Sequence, residues 1–543
     1  MLSGTARDSG TCCISRCPGM ASQTKCIFIV FFIQQFLLLQ GAKILTVCLV
    51  GGSHYLLMDE VSRVLHNNGH EVRMFYQATE VLLPGYKEKP SPFPVTKVTM
   101  DETYAKKFND FLVMNRAEFF KGRSGFHLFL QFMGELAYQC KITLNQSSVF
   151  ESLKEERFDI AVIDAFNPCT FLVAERLGLP YIAFFPGMFS NAPFVGLPTP
   201  LSYVPIFPSQ LTDRMDFFQR LKNTFMYLGS HVVEKIIQSK YDDAINEHFP
   251  AGSRPVISEL FLKAELWFYN IDFTIEFARP LLPHVQYIGG LLAKPAEPVS
   301  QELEEYISQS GEAGFIVVSL GSMIDSCPVT EFLKEMNEGF AKVPQKVIWR
   351  YNSSLWPTDL EVAPNVKLMQ WISQNDLVGH PKIRLLVTHG GMNSLMEAVY
   401  HGVPVLGIPL FGDQFDNLVR VKAKHLGLFI PPHEIKAEYL ANTIRRLTED
   451  QSYKSSAMKL SIIHKTHPFP PQQKLVRWVD HILQTGGGSH LRPYAYQQPW
   501  YQQCLLDVIL FVAACLLLGC YFTVRIIRFM VRKLCSIRKL KQS

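Results

Sequence analysis

Hydrophobic and polar positions follow one repeated order along most of the chain: a short β-branched apolar run, then a stretch with apolar residues every three or four positions. "KILTVCLV" (43–50) predicts a buried strand. "HYLLMDEVSRVLHNNG" then sets Leu56, Val61 and Leu65 at helical spacing and stops at Gly69, after which "EVRMFY" resumes a strand. The same order returns in "FDIAVIDAFNPCTFLVAERLGLPYIAFF" (158–185). Past a Pro-rich stretch from Lys294 to Val299 it starts again with "GFIVVSLGS", "KVIWRY", "VKLMQW", "IRLLVTHGG" and "VPVLGIP". Strands apolar on both faces with helices between them imply parallel sheets. The expectation is an α/β protein of two doubly wound, Rossmann-like domains, with ligands in a cleft between the carboxyl ends of the strands. From Pro186 to about Asp242 the order gives way to Pro- and Phe-rich segments such as "LPTPLSYVPIFPSQL". This stretch reads equally as a cover over a substrate or as a membrane-surface patch.

The two ends read differently from the body. "CIFIVFFIQQFLLLQGAK" after Lys25 has the form of a signal peptide ending near Ala42, and Met20 stands where such a signal would start. At the other end "VILFVAACLLLGCYFTV" (508–524) is an uncharged run of 17 residues that Cys504–Leu506 lengthen to a membrane span. Seven basic and no acidic residues follow between Arg525 and Lys541. That predicts a cytosolic tail, a lumenal body and a single-pass type I topology. Lys539 and Lys541 have the spacing of a dilysine retrieval signal, which points to the endoplasmic reticulum membrane. Sequons at Asn145 and Asn352 fall on the lumenal side as candidate glycosylation sites.

Composition narrows the partners. The net charge of +5 is carried by the tail, which leaves a near-neutral body and argues against a nucleic-acid surface. Cys48, Cys140, Cys169 and Cys327 in the body are too few and too widely spaced for a disulfide scaffold or a zinc site.

The candidate chemistry gathers between Trp371 and Gln414. His389 ends a strand, and Gly390 and Gly391 let the backbone approach a ligand before a helix begins near Met392. Bare amides at a helix start, at the positive end of its dipole, suit phosphate. Asn393 and Ser394 add donors, and Glu397, one turn on, suits ribose hydroxyls. Trp371 offers a face for a base, while Asp413 and Gln414 suit the hydroxyls of a hexose. In the first half His54 and Asp164 each follow or end a strand at the same sheet edge, where a His–Asp pair can form and act as a base. No Asp-x-Asp motif occurs in the chain, which disfavours a metal-bound diphosphate, so neither a metal nor a cofactor is expected.

The run "WISQNDLVGHPKIRLLVTHGGMNSLMEAVYHGVPVLGIPLFGDQ" resembles the donor signature of the UDP-glycosyltransferase (UDP-glucuronosyltransferase) superfamily, with its two-domain GT-B fold. "VGGSHYLLMDEVS" and "SHLRPYAYQQPW" are most similar to the vertebrate UDP-glycosyltransferase 3 family. The resemblance implies that Trp371 stacks on uracil and Gln374 bonds its edge. It implies that Ser322, His389, Gly391, Asn393 and Ser394 hold the diphosphate, Glu397 the ribose, and Asp413 with Gln414 the sugar. His54 would be the base and Asp164 its support in an inverting transfer. Met392 departs from the Thr or Gln often found after the two glycines.

The division expected is a signal peptide with an N-terminal extension (1–41), an acceptor-binding domain (42–291), a linker (292–300) and a UDP-sugar-binding domain (301–490). A juxtamembrane segment (491–503), a transmembrane helix (504–524) and a basic cytosolic tail (525–543) complete it. The partners implied are a UDP-sugar, with N-acetylglucosamine, glucose or xylose favoured, and a small lipophilic phenol, steroid, bile acid or xenobiotic. Family members also associate in the membrane as homo- or hetero-oligomers. Two other readings stay open. UDP-glucuronate is the donor in one, with Arg279 of "FARPLLPH" as a candidate contact to its carboxylate; the other is a lipophile-binding lumenal protein without catalysis.

Overall fold

The computed structural model describes residues 41–78, 83, 85–86, 90–123 and 125–540. The signal-peptide segment, apart from Gly41, and Lys541 of the dilysine pair lie outside the described residues. Strands β1 (Lys43–Cys48), β2 (Glu71–Ala78), β3 (Val95–Thr99), β4 (Ile160–Asp164), β5 (Tyr181–Phe185), β6 (Leu266–Tyr269) and β7 (Val285–Tyr287) form one sheet in the order β3-β2-β1-β4-β5-β6-β7. A second sheet holds β8 (Phe315–Ser319), β9 (Lys346–Arg350), β10 (Val366–Met369), β11 (Ile383–Thr388), β12 (Val405–Gly407) and β13 (Gly427–Phe429) in the order β10-β9-β8-β11-β12-β13. Every pairing is parallel. The expected α/β architecture of two doubly wound sheets is what the chain adopts.

Strand order reverses once in each sheet, between β1 and β4 and between β8 and β11. At such a reversal the helices leave toward opposite faces and open a crevice at the carboxyl ends. The Ser53–Asn67 helix shows how the sequence pattern achieves this: Leu57, Met58, Val61 and Leu65 are all buried on one side of the sheet. Burying each such side chain contributes about 1.5–3 kcal/mol.

Three features differ from the sequence reading. First, the Pro471–Thr485 helix returns to the first sheet, where Leu475, Val479 and Ile482 join Ile44, Leu57 and Val61 in one core cluster and His70 Nε2 lies 3.2 Å from Asp480. Packing therefore puts the end of the expected 301–490 unit on the first domain. Local periodicity marks Leu475, Val479 and Ile482 as one apolar side but does not encode which sheet covers it. Second, Cys140 and Cys169 form a disulfide across a sequence separation of 29. A single crosslink of that span stabilises the fold by about 3–4 kcal/mol in the chain-entropy account. Third, the terminal helix spans Leu506–Leu540 rather than 504–524. It starts late because Leu505 has φ 53°, and it runs on through the basic tail. Its Leu506–Ser536 segment is long and apolar enough to cross a membrane, with none of it buried inside the fold.

The two sheets are held to each other by specific pairs. Arg420 Nε donates to Glu276 at 2.6 Å with both side chains buried, and Arg116 Nη1 donates to Asp325 at 3.0 Å. In the expected linker Lys294 exchanges two hydrogen bonds with the side chain of Asn375.

Candidate functional site

His54 is the second residue of the helix after β1, and Asp164 is the last residue of β4, so the strand-order reversal sets them side by side. His54 Nδ1–H donates to Asp164 Oδ2 at 2.7 Å. Asp164 is 1% exposed and His54 19%, a buried carboxylate behind an imidazole that still reaches solvent. Asp164 Oδ1 accepts from the Phe166 amide at 3.0 Å, and the Thr170 hydroxyl donates to its carbonyl, so the carboxylate is fixed. The Phe166 ring meets His54 edge-on at 5.0 Å. Cys48 Sγ, 3.8 Å from Asp164 Oδ2, stays a thiol because burial and the carboxylate push its pKa well up. Pinned at Nδ1, the ring presents Nε2 as its free base.

At the second reversal the strand ends carry glycines. Gly321 follows β8 with φ 100°, and a Cβ there would stand 2.7 Å from His389 Nε2. A Cβ on Gly391 would stand 2.5 Å from the same nitrogen. The close approach expected at the glycine pair is thus made first by the His389 ring, which lies between two bare stretches of backbone. Burial, with the charge of Arg350, lowers the His389 pKa to about 4, so the ring is neutral at physiological pH. The Met392–His401 helix begins after Gly391 with no side-chain cap, so no N-cap side chain occupies its first amides.

Other expected residues gather around this helix. Gln374 Nε2 donates to Ser394 Oγ at 2.8 Å and closely to Glu397 Oε2. Burial lifts the Glu397 carboxyl to about 7. Trp371 has the Arg350 guanidinium carbon 4.7 Å from its ring centroid and the ring of Tyr86 of the first domain, tilted to it, at 5.0 Å. Asn393 Oδ1 accepts from Asn270 across the cleft at 2.8 Å. Asp413 faces the first domain: a Cβ on Gly187 would lie 3.3 Å from its Oδ2, and burial raises its pKa while the nearby His54 lowers it. Gln414 turns its Oε1 inward to the amides of Leu410 and Phe411, which leaves its amide nitrogen for other work.

Arg279 stands apart from this group. Its guanidinium donates to Pro198 O and Thr199 Oγ1 and lies over Phe189, beside Arg420. Asn145 is exposed at the end of the Phe126–Leu144 helix, whereas Asn352 is half-buried and its Oδ1 caps the Ser354 amide. Among the described residues no group of three or more His, Cys, Asp or Glu is arranged to hold a metal ion.

Sequence reasoning missed Arg350 and Asn417. Arg350 donates to the carbonyls of Gly321, Ser322 and Ile324 while stacking on Trp371, so one guanidinium sets both the β8 turn and the aromatic face. Its strand position in "KVIWRY" gave no signal. Asn417 Nδ2 bridges Asp413 Oδ2 and Gly390 O, and its i+4 spacing from Asp413 was the available clue.

Two facing parallel sheets, with bare helix amides on one side of the cleft and a His–Asp pair on the other, define the GT-B class of glycosyltransferase. Solved structures similar to it include the glycosyltransferase VinC in complex with DTDP (TM-score 0.54, 15% identity, covering 82% of this chain and 100% of that one). SnogD from Streptomyces nogalater matches with TM-score 0.54 and 17% identity over 81% of this chain and 99% of that one. The chain belongs to the UDP-glucoronosyl and UDP-glucosyl transferase family, whose model matches residues 42–541. It is 57% identical to UDP-glucuronosyltransferase 3A1 of Xenopus laevis, over 96% of this chain and all of that protein. Identity to the human UDP-glucuronosyltransferase 3A2 is 46% over the same shares.

Proposed function

We propose that this UDP-sugar glycosyltransferase moves N-acetylglucosamine, glucose or xylose from UDP to a hydroxyl of a small lipophilic acceptor, with inversion and with His54 as the base. The observation that carries the reading is the 2.7 Å bond from His54 Nδ1 to the buried Asp164, which leaves Nε2 to take the acceptor proton. As the acceptor oxygen bonds to the anomeric carbon, the opposite bond to the diphosphate breaks and UDP leaves with the electron pair. Asp164 stabilises the imidazolium that results.

On the donor side Trp371 stacks on uracil, and Gln374, its Nε2 committed to Ser394 and Glu397, offers Oε1 to the base. Ser322, neutral His389, Asn393, Ser394 and the amides after Gly391 hold the diphosphate. Glu397 takes the ribose, and Asp413 with the Gln414 amide takes the sugar. A neutral sugar suits a buried acidic group at Asp413 better than a uronate carboxylate does, because like charges in a buried site repel strongly. Arg350 donates to the carbonyls of Gly321 and Ser322, and Arg279 to Pro198 O and Thr199 Oγ1. The acceptor class is a phenol, steroid, bile acid or xenobiotic, and the enzyme sits in the endoplasmic reticulum membrane with its body lumenal.

A second reading, UDP-glucuronate as donor, is favoured by the names of the relatives. Microsomes carrying the full chain, one phenolic acceptor and a panel of UDP-sugars decide between them, with glycoside formation followed by mass spectrometry. Glycoside from a neutral sugar is the expected result. Glycoside from glucuronate alone overturns the donor and keeps the mechanism, whereas UDP binding without any product points to the lipophile-binding protein.

A further inference from the structure

The turn after β8 carries Ser322, and its backbone is gripped from both domains. Arg350, on the neighbouring β9, donates to the carbonyls of Gly321 at 2.6 Å, Ser322 at 3.0 Å and Ile324 at 2.9 Å. The carbonyl between them, that of Met323, accepts from Arg116 Nη2 at 3.2 Å. Four consecutive carbonyls therefore end on two guanidiniums. In a trans peptide the N–H points opposite to the C=O, so the amides of Ser322 and Met323 turn away from both arginines. A turn that includes Gly321 at φ 100° has wide backbone freedom of its own. The two arginines remove that freedom and keep the negative carbonyl ends away from an incoming anion.

Arg116 comes from the other side of the cleft. It lies in the Glu102–Phe120 helix, which starts in the first domain and ends in the second. Near its start Tyr104 and Phe108 are buried against Phe132 of the Phe126–Leu144 helix. At its end Phe120 is 2% exposed within the core of the second sheet, its ring 4.8 Å from that of Phe332. Met323, next to Ser322 in the turn, packs on the Tyr104–Phe108 cluster. Arg116 Nη1 also donates to Asp325 Oδ1 and Ser326 Oγ, each at 3.0 Å. One planar fork thus reaches a carbonyl, a carboxylate and a hydroxyl of the same turn, a task suited to arginine. Burial lowers the Arg350 pKa to about 10, with Asp325 opposing the fall and Arg116 adding to it. Asp325 is the counter-ion that lets two cations share the turn.

We propose that Arg116 is a positioning residue for the donor diphosphate: reaching over from the first domain, it fixes the Gly321–Ser326 turn so that Ser322 meets the phosphates. The proposal rests on the reading of Ser322 as a diphosphate ligand. It gives the first domain a hold on donor affinity through a side chain that itself touches no phosphate.

Binding of UDP to the full chain in detergent micelles, followed by calorimetry, tests this beside binding of uridine followed by ligand-observed NMR. Arg116→Ala is expected to raise the UDP Kd about tenfold, part of the worth of a charged hydrogen bond. The uridine Kd should stay the same, because uridine has no phosphate, and its binding shows that the fold is intact. Equal weakening of UDP and uridine makes Arg116 a residue of the fold alone and overturns the proposal. So does an unchanged UDP Kd in Arg116→Ala when Ser322→Ala weakens UDP, a result that keeps Ser322 at the phosphates. An unchanged UDP Kd in Ser322→Ala removes that reading, and the proposal falls with it.

Discussion

At the strand-order reversal of the first sheet, β1 and β4 lead into a hydrogen-bonded His–Asp pair; at the reversal of the second, β8 and β11 lead into glycines and a neutral histidine. Topology is shared, and so is the crevice it opens, but the chemistry differs, and in the proposed function each crevice serves one half of a transfer reaction. A histidine proposed as base is served by a carboxylate that holds its ring and stabilises its charged form, and Asp164 is buried behind His54. An anion site needs amides without competing negative charge and without side chains in the way, which glycine and an uncharged imidazole supply. The contrast teaches that a histidine at a strand end is read by its neighbour: His54 has a carboxylate at 2.7 Å, whereas His389 has Arg350 and two glycines.

The largest effect should come from breaking the first half alone. His54→Ala is expected to lower kcat by ~10²–10⁴-fold, the usual worth of a positioned general base, with UDP affinity unchanged in calorimetry. Asp164→Asn should lose most of the same factor, and the double variant should be no slower than His54→Ala, because the two act as a unit. Retained turnover in His54→Ala with a hydroxyl acceptor would sink the base assignment. Additive losses would instead show that Asp164 serves the fold and not the ring.

Breaking the second half should leave chemistry and remove affinity. Gly391→Ala places a methyl 2.5 Å from His389 Nε2 where backbone geometry itself tolerates alanine, so the ring must move. Overpacking of this kind costs about 1–3 kcal/mol, which corresponds to a UDP Kd raised by ~5–150-fold. Measured kcat at saturating donor should change far less. An unchanged Kd would mean that the His389 ring is not part of the donor site.

How much of this was legible in the sequence depends on distance along the chain. The strands and helices, the two sheets and the anchor follow from local periodicity, because burial on both faces writes itself into runs such as "FDIAVID" and "IRLLVTHGG". The pairing of His54 with Asp164 was readable as a shared sheet edge although 110 residues separate them. The return of Leu475, Val479 and Ile482 to the first sheet, the Cys140–Cys169 bond and the double duty of Arg350 were not. Each depends on which surfaces meet after folding, and an amphipathic helix or a strand arginine carries no address. An exposed apolar stripe from Phe218 to Ile236 was seen only as a change of pattern, since periodicity alone does not say whether an apolar face is covered.

The smallest effect sharpens the comparison through pH. Burial lifts the folded-state pKa of Glu397 to about 7 from 4.5, so folding holds its proton where the unfolded chain has released it. The sign follows: this carboxyl costs stability as pH rises from about 4.5 to 7, and above 7 the folded protein carries the charge. A ribose hydroxyl donates to a carboxylate more strongly than to a neutral acid. UDP-glucose, whose diphosphate diester has no titration near neutrality, should therefore bind more tightly as pH rises through 7, by at most ~10-fold per unit below that point. Glu397→Gln should bind more weakly at pH 8 and show a flat profile. If the wild-type Kd is equally flat from pH 6 to 8, Glu397 does not receive the ribose, and its buried charge belongs to the Gln374–Ser394 network alone.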